Sequence, residues 1–181
     1  RPQRVQKGFR CLYSSNNASK NRLYRSMQPG FNNWRAVFLH AQNHYNVFRT
    51  TYGIQKNIED PALRVSAEIM NYPIPLPTVV WKHGQNWDVD PYLMLGLLRQ
   101  ESTYRETIRS SVGAIGYVQV MPATGAKVAY LLKEKNYSPL ILENPADNLR
   151  YGIFYFSKLM ERFDGSYPLA VGAYNGGPHN V

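Results

Sequence analysis

Three Asp-Pro or Asn-Pro pairs constrain the fold of this chain most strongly: Asp60-Pro61, Asp90-Pro91 and Asn144-Pro145. The side-chain oxygen of Asp or Asn caps a helix N-terminus, and proline suits the first helical turn, where an N–H has no partner to lose. Apolar residues follow each pair at helical spacing. The chain is therefore expected to be mainly α, with at most a small β element.

The helix predicted after Asp90 is apolar around nearly its whole circumference as far as Arg99, so we expect it to be central and buried. The Ser- and Gly-rich segment 104–120 is expected to be irregular or a short hairpin. The other predicted helices are one from Pro61 that ends before the prolines after Tyr72, a short one from Thr78 that Gly84 stops, and segments at about 122–134, 145–163 and 167–174.

The positive charge of the chain is concentrated at one end. Residues 1–60 hold ten of the 21 Lys and Arg residues but only two of the 12 Asp and Glu residues. We therefore divide the 181 residues into a basic, irregular or helical N-terminal extension, 1–60, and a domain, 61–181. The extension is interpreted as an appendage or the remnant of an upstream module. Its charge suits nucleic acid, an anionic polymer, a membrane surface or plain solvated surface.

Several classes of protein and site are excluded by composition. No apolar run approaches the roughly 20 residues of a transmembrane helix, and no apolar segment of a signal peptide follows the basic residues 1–10. A single cysteine, Cys11, allows neither an internal disulfide nor a Cys-rich zinc site. His40 and His44 lack the surrounding pattern of a zinc-binding helix. No metal or cofactor is predicted.

Glu101 is the residue most suited to acid–base chemistry. It follows Leu97 and Leu98 at the end of the apolar helix. Desolvation there would raise the pKa of its carboxyl group, as a general acid near neutral pH requires. The alternative is a structural glutamate paired with Arg99 or Arg105, and helical periodicity alone favours that alternative.

Blocks of sequence around and after Glu101 resemble the catalytic domain of the soluble lytic transglycosylases, relatives of goose-type lysozyme. The family pattern is a helix ending in Gln-Glu-Ser, then Ser-x-x-Gly-Ala-x-Gly-Leu-Met-Gln-x-Met-Pro-x-Thr, then Ala-Tyr-Asn-Ala-Gly-Pro. The resemblance covers about residues 73–181 and does not extend to 1–60. The matching blocks are Gln100-Glu101-Ser102, Ser110 to Thr124, Asn144-Pro145 with Gly152 and Tyr155, and Ala173-Tyr174-Asn175 with Pro178.

The resemblance implies a lysozyme-like α+β fold and cleavage of the bond between N-acetylmuramic acid and N-acetylglucosamine in peptidoglycan. Glu101 would be the single acid/base: it protonates the glycosidic oxygen, then accepts the proton of the C6 hydroxyl as a 1,6-anhydro ring closes. A two-carboxylate glycosidase would need a second Asp or Glu opposite the acid. Glu106 is the nearest candidate in sequence, and nothing marks it out.

Further roles carry over to the matching positions. Tyr174 would hydrogen-bond near Glu101 and steady developing charge, although an ordinary core tyrosine fits the residue pattern alone. Glycines let the backbone approach the sugar without interference from a Cβ. The implied substrate-binding residues are Ser110 near the N-acetyl group, Gly113 and Gly116 in the close approach, Tyr117, Gln119 and Met121 along the sugar cleft, and Ala173 and Asn175 beside the tyrosine.

Departures from the family pattern leave alternatives open. Leu-Met-Gln of the family reads Tyr117-Val118-Gln119 here, which changes the cleft wall. Relatives continue into another helix beyond the position of Val181, so part of the domain is expected to be missing. The alternatives are a goose-type muramidase that hydrolyses the bond and a non-catalytic peptidoglycan-binding scaffold. The implied location is the periplasm or cell envelope, with glycan strands as substrate and envelope proteins as partners of the extension, in preference to nucleic acid.

Overall fold

The computed structural model describes residues 43–55 and 58–181, and its contacts divide the chain into two units, Arg1–Asn71 and Tyr72–Val181. Most of the predicted extension, with Cys11 and His40, lies outside the described residues. The division after residue 60 therefore stays a prediction.

The described part of the first unit is a pair of packed helices, α1 (His44–Gln55) and α2 (Pro61–Met70). The start of α2 at Pro61 confirms the prediction from Asp60-Pro61. The extension was predicted to be irregular or helical, but the bounds of α1 were not predicted, because its buried positions include a polar residue: Thr51 is fully buried beside Val47. The Thr51 hydroxyl donates to the Val47 carbonyl at 2.8 Å, which satisfies the polar group inside the core.

The second unit is built around one long helix, which confirms the mainly helical fold. Its helices are α3 (Pro77–Asn86), α4 (Pro91–Ser102), α5 (Pro122–Leu131), a short 3-10 helix (Pro139–Glu143), α6 (Pro145–Arg162) and α7 (Tyr167–Gly176). Helix α6 packs against α3, α5, α7 and the 3-10 helix. Its side chains Leu149, Tyr151, Ile153 and Phe156 are fully buried, so α6 supplies much of the core. None of the described helices is long and apolar enough to cross a membrane.

Two of the Asp-Pro and Asn-Pro pairs form the caps that the sequence predicts. Asp90 Oδ1 accepts a hydrogen bond from the Tyr92 amide at 2.8 Å at the start of α4. Asn144 Oδ1 accepts from the amides of Ala146 and Asp147 at 2.9 and 3.2 Å at the start of α6. These bonds satisfy amides that have no partner within the helix and fix where α4 and α6 begin.

The predicted limits of α3 were wrong at both ends. Leu76, with a φ of 45°, precedes the helix in place of Thr78, and the helix runs through Gly84 to Asn86. A Cβ on Gly84 would lie 2.7 Å from the Val89 carbonyl oxygen. This glycine therefore allows the turn that leads into α4 to pack closely, and it does not terminate the helix.

The segment that connects α4 to α5 is irregular, as predicted. The described residues contain no strand, only isolated β-bridges that pair Arg109 with Ile115 and Ile115 with Val120. The amides of Ile115 and Val120 donate to each other's carbonyls at 3.1 and 3.0 Å. The four residues between them form a tight turn, 116–119, which the structure places close to α6 and α7.

Candidate active site

Glu101 lies in the last turn of α4, where the helix ends at Ser102. Leu97 and Leu98, one turn earlier, are buried. Glu101 Oε1 is itself buried and has no hydrogen-bond partner within the described residues. Burial raises the pKa of the carboxyl group, because a charged carboxylate loses hydration there. Glu101 therefore keeps its proton to a higher pH than an exposed glutamate does, and the protonated form can donate.

The alternative pairing of Glu101 with a neighbouring arginine does not occur. The Arg99 guanidinium lies 4.4 Å from the centroid of the Tyr72 ring, and Arg105 Nε donates to the Ser102 carbonyl at 2.9 Å. Neither arginine forms an ion pair with Glu101 in the part of the chain that the structure describes. No arginine charge among the described residues therefore offsets the rise in the Glu101 pKa that burial causes.

Tyr174 lies on α7, and its ionisation is affected by the charge of Glu101. Its hydroxyl donates to the Val118 carbonyl at 2.7 Å. Burial raises the pKa of Tyr174, and the charges of Glu101 and Tyr155 add to that rise. The Tyr155 ring lies 5.5 Å from the Tyr174 ring, centroid to centroid. The two residues predicted to be catalytic therefore interact electrostatically, and the raised pKa keeps the Tyr174 hydroxyl neutral.

The backbone of Val118 forms a wall of this site and is fixed by side chains on two helices, α6 and α7. The Val118 amide donates to Asn148 Oδ1 at 3.1 Å, while its carbonyl accepts from Tyr174. A Cβ on Gly152 would lie only 2.3 Å from Val118 Cγ2. Asn148 and Gly152, four residues apart on α6, were not predicted as site residues. A polar Asn at a core position one turn before a glycine was the available signal.

The segment 110–116, which precedes Val118, contains the predicted Ser and Gly residues. Ser110 Oγ accepts from the Ala114 amide at 2.9 Å, so this hydroxyl helps to close the loop 110–114. Gly113 and Gly116 have φ values of 91° and 79°, which glycine adopts readily and other residues rarely do. A Cβ on Gly116 would lie 2.4 Å from Asn148 Nδ2, so the turn packs directly on that amide.

The remaining predicted cleft residues differ in exposure and in their partners. Gln119 Nε2 donates to the carbonyls of Gly116 and Ile108 at 2.8 and 3.3 Å, so its amide braces the turn. Tyr117 is buried and donates to Glu106 Oε2 at 3.2 Å. Met121 is 38% exposed, which leaves its side chain accessible to a ligand.

The last two predicted residues flank Tyr174 on α7. Ala173 is fully buried, and Asn175 is exposed, with its Nδ2 donating to the Val171 carbonyl at 3.1 Å. Their predicted contacts with substrate stay predictions, as do those of the loop residues. Among the described residues, no group of three or more His, Cys, Asp or Glu side chains is placed to hold a metal ion.

Comparison with known proteins identifies the family. A sequence profile described as the Transglycosylase SLT domain matches residues 79–181, which contain Glu101, Val118 and Tyr174. The chain belongs to the transglycosylase SLT domain family. The SLT profile begins within α3 and covers α4 to α7, so it contains every predicted site residue.

Relatives of this SLT domain are longer proteins. The soluble lytic murein transglycosylase of Salmonella typhimurium is 27% identical over 111 residues, which are 61% of this chain and 17% of that protein. The membrane-bound lytic murein transglycosylase C of Histophilus somni is 32% identical over 108 residues, which are 55% of this chain and 30% of that protein. The chain thus spans less than a third of the length of either relative.

A solved structure shares the fold. The lytic transglycosylase Slt of Pseudomonas aeruginosa, solved as an inactive mutant, superposes with a TM-score of 0.67 at 22% sequence identity. The match covers 94% of this chain and 28% of that chain. This likeness supports the lysozyme-like fold of the SLT domain.

Proposed function

We propose that this chain carries the catalytic domain of a peptidoglycan lytic transglycosylase, which cleaves the bond between N-acetylmuramic acid and N-acetylglucosamine without hydrolysis. One observation carries the proposal: Glu101, at the position of the family's motif glutamate, has a raised pKa and a buried oxygen with no hydrogen-bond partner among the described residues. The names of the relatives, which are murein transglycosylases, support the substrate class.

In the first step, Glu101 acts as general acid. Its proton passes to the glycosidic oxygen, the bond from that oxygen to C1 of the muramic acid breaks, and the N-acetylglucosamine side leaves as an alcohol. A positive charge develops at C1, and the N-acetyl oxygen of the muramic acid stabilises it, as in substrate-assisted glycosidases. The raised pKa of Glu101 suits this step, because the acid stays protonated at a higher pH than an exposed glutamate does.

In the second step, the Glu101 carboxylate acts as general base. It accepts the proton of the C6 hydroxyl of the same sugar, and the C6 oxygen attacks C1 to close the 1,6-anhydro ring. Glu101 is protonated again, so one carboxyl group completes the cycle and no water is consumed. Burial is the cause of the raised Glu101 pKa, which suits a carboxyl group that is protonated at the start and at the end of the cycle.

Tyr174 is proposed to assist Glu101 as a neutral hydrogen-bonding group. Its pKa is raised by burial and by the Glu101 charge, so the phenol stays protonated throughout the pH range of the reaction. The hydroxyl is oriented by the Val118 carbonyl. An oriented dipole beside a site of developing charge stabilises the transition state without having to reorganise.

The glycan strand of peptidoglycan is the proposed partner, which implies action in the periplasm or cell envelope. Glycan would lie along the loop 110–121, where Met121 is exposed and the glycines bring the backbone close to the sugar. Envelope proteins are proposed as partners of residues 1–60, whose basic charge also suits an anionic wall polymer.

Digestion of purified sacculi tests this proposal, with mass analysis of the released muropeptides. We expect 1,6-anhydro-muramic ends from the wild type and a loss of product from Glu101→Gln. Reducing ends would indicate a hydrolase, and binding to sacculi without turnover would indicate a scaffold. Glu106→Gln is the matched control: it neutralises the candidate carboxylate nearest in sequence, keeps an oxygen that can accept from the Tyr117 hydroxyl, and should therefore leave turnover unchanged.

A further inference from the structure

Asn148 is a fully buried polar side chain that hydrogen-bonds to Ile115 and Val118, beside the candidate site, and to Leu142 of the 3-10 helix. Its Nδ2 donates to the carbonyls of Ile115 and Leu142 at 2.7 and 3.0 Å, and its Oδ1 accepts from the Val118 amide at 3.1 Å. The residue has 0% exposure. One amide therefore joins α6 to the residue before the turn 116–119, to Val118 within that turn and to the 3-10 helix.

The main effect of the Asn148 side chain is to fix the position of the backbone to which it bonds, and filling space in the core is secondary. A buried amide is costly unless its donors and acceptor are all satisfied, and here they are. A leucine would fill a similar space without that requirement. Satisfied buried polar networks hold one geometry, because any displacement leaves a polar group without its partner in a low-dielectric environment. The network at Asn148 therefore defines where the Val118 peptide lies.

The backbone of Val118 in turn determines where the Tyr174 hydroxyl finds its acceptor. The Val118 amide donates to Asn148 and the Val118 carbonyl accepts from the Tyr174 hydroxyl, so the backbone of this one residue links the two side chains. We propose that Asn148 is a positioning residue for the transglycosylase reaction, which holds the Val118 carbonyl where it orients the Tyr174 hydroxyl beside Glu101. Asn148 acts through Val118, without contact with the sugar, and the inference rests on the proposed function.

Two glycines support this role independently of the hydrogen bonds. A Cβ on Gly116 would lie 2.4 Å from Asn148 Nδ2, so the turn can pack on this amide only with a glycine at position 116. A Cβ on Gly152 would lie 2.3 Å from Val118 Cγ2 and 3.3 Å from the Tyr174 hydroxyl. One face of α6 thus contacts the turn, Val118 and the Tyr174 hydroxyl together.

Asn148→Ala tests the role, with Leu149→Ala as the matched control. Leu149 is the next residue of α6 and is also fully buried, but its side chain bonds to no part of the turn. We expect Asn148→Ala to lower kcat per folded molecule by roughly 10- to 100-fold, the range for a misplaced catalytic group, with little change in KM. Leu149→Ala should lose stability and keep kcat. Equal kcat in the wild type and Asn148→Ala would overturn the proposal.

A double-mutant cycle with Tyr174→Phe distinguishes the positioning of Tyr174 by Asn148 from a general loss of packing in the core. If Asn148 acts through Tyr174, the variant that combines Asn148→Ala with Tyr174→Phe should be about as slow as the slower single variant. Losses in kcat that multiply would overturn the proposed route through Tyr174. A wild type that releases no product would instead refute the proposed function, so the two failures are distinguishable.

Asn148→Asp keeps the side-chain shape and gives a second test should the alanine variant fold poorly. A carboxylate accepts from the Val118 amide but cannot donate to the Ile115 and Leu142 carbonyls, whereas a protonated carboxyl group donates to one of them. The ratio of its kcat to the wild-type kcat should therefore rise as the pH falls. A ratio that does not change with pH would contradict the role of these hydrogen bonds.

Discussion

Gly152→Ala places a methyl group at the closest contact between α6 and the wall of the candidate site. The new Cβ would lie 2.3 Å from Val118 Cγ2 and 3.3 Å from the Tyr174 hydroxyl. Carbon atoms in ordinary contact are about 3.5–4.0 Å apart, so Val118 would have to move by roughly 1 Å or more. Hydrogen bonds at the Val118 amide and carbonyl oppose that movement.

Two opposing contributions determine the change in the free energy of unfolding. Alanine is favoured over glycine in a helix by about 1 kcal/mol, whereas overpacking a core costs about 1–3 kcal/mol. Gly96→Ala isolates the first contribution, because Gly96 lies in α4 and a Cβ added there would meet no neighbouring atom within 4 Å. The stability of Gly152→Ala should therefore lie about 1–3 kcal/mol below that of Gly96→Ala.

Chemical denaturation of both variants beside the wild type measures this difference. Val118→Ala combined with Gly152→Ala should recover part of the loss, because it removes the Cγ2 atom and leaves the Val118 Cβ, 3.2 Å away, as the nearest contact. Turnover of sacculi should fall in Gly152→Ala and not in Gly96→Ala. A Gly152→Ala protein as stable as Gly96→Ala would refute the close packing of α6 on Val118.

Three further predictions concern the same site. Tyr174→Phe should lower the free energy of unfolding by about 1–3 kcal/mol, because the buried Val118 carbonyl loses its donor, and it should also lower turnover. A variant with the stability and turnover of the wild type would contradict this. The kcat/KM of the wild type should fall as the pH rises through the raised pKa of Glu101, above its ordinary value of 4.5, and Tyr174→Phe should keep that limb. Glu101→Gln should be more stable than the wild type at neutral pH, because the raised pKa means that ionisation of Glu101 destabilises the folded state. This gain in stability should disappear below pH 4.5, where Glu101 is protonated in both the folded and the unfolded state. An equal gain at all pH values would contradict burial as its cause.

Much of the fold follows from local signals in the sequence. The caps at Asp90 and Asn144 set the starts of α4 and α6, because each side chain bonds to amides two or three residues away. The limits of α3 and the role of Gly84 depend on the Val89 carbonyl, which reaches the helix through a turn. Nothing in the local sequence distinguishes a glycine that permits close packing from one that ends a helix.

The candidate site was predictable where a residue type alone implies its chemistry. A glutamate that ends an apolar helix could be desolvated or paired with an arginine, and helical periodicity alone favoured the pairing; in the structure, burial raises the pKa of Glu101. Asn148 could not be assigned in this way, because its importance comes from Val118, Ile115 and Leu142, which are distant in sequence. The hydroxyl of Tyr174 likewise finds its acceptor in Val118, 56 residues away.

Digestion of sacculi in isotope-labelled water, for the wild type and Glu101→Gln side by side, tests the single acid/base mechanism most directly. The proposed reaction closes the anhydro ring with the sugar's own C6 oxygen, so the wild-type products should be anhydro-muropeptides without label, and Glu101→Gln should release almost none. Labelled reducing ends from the wild type, or full release of anhydro-muropeptides by Glu101→Gln, would contradict the mechanism.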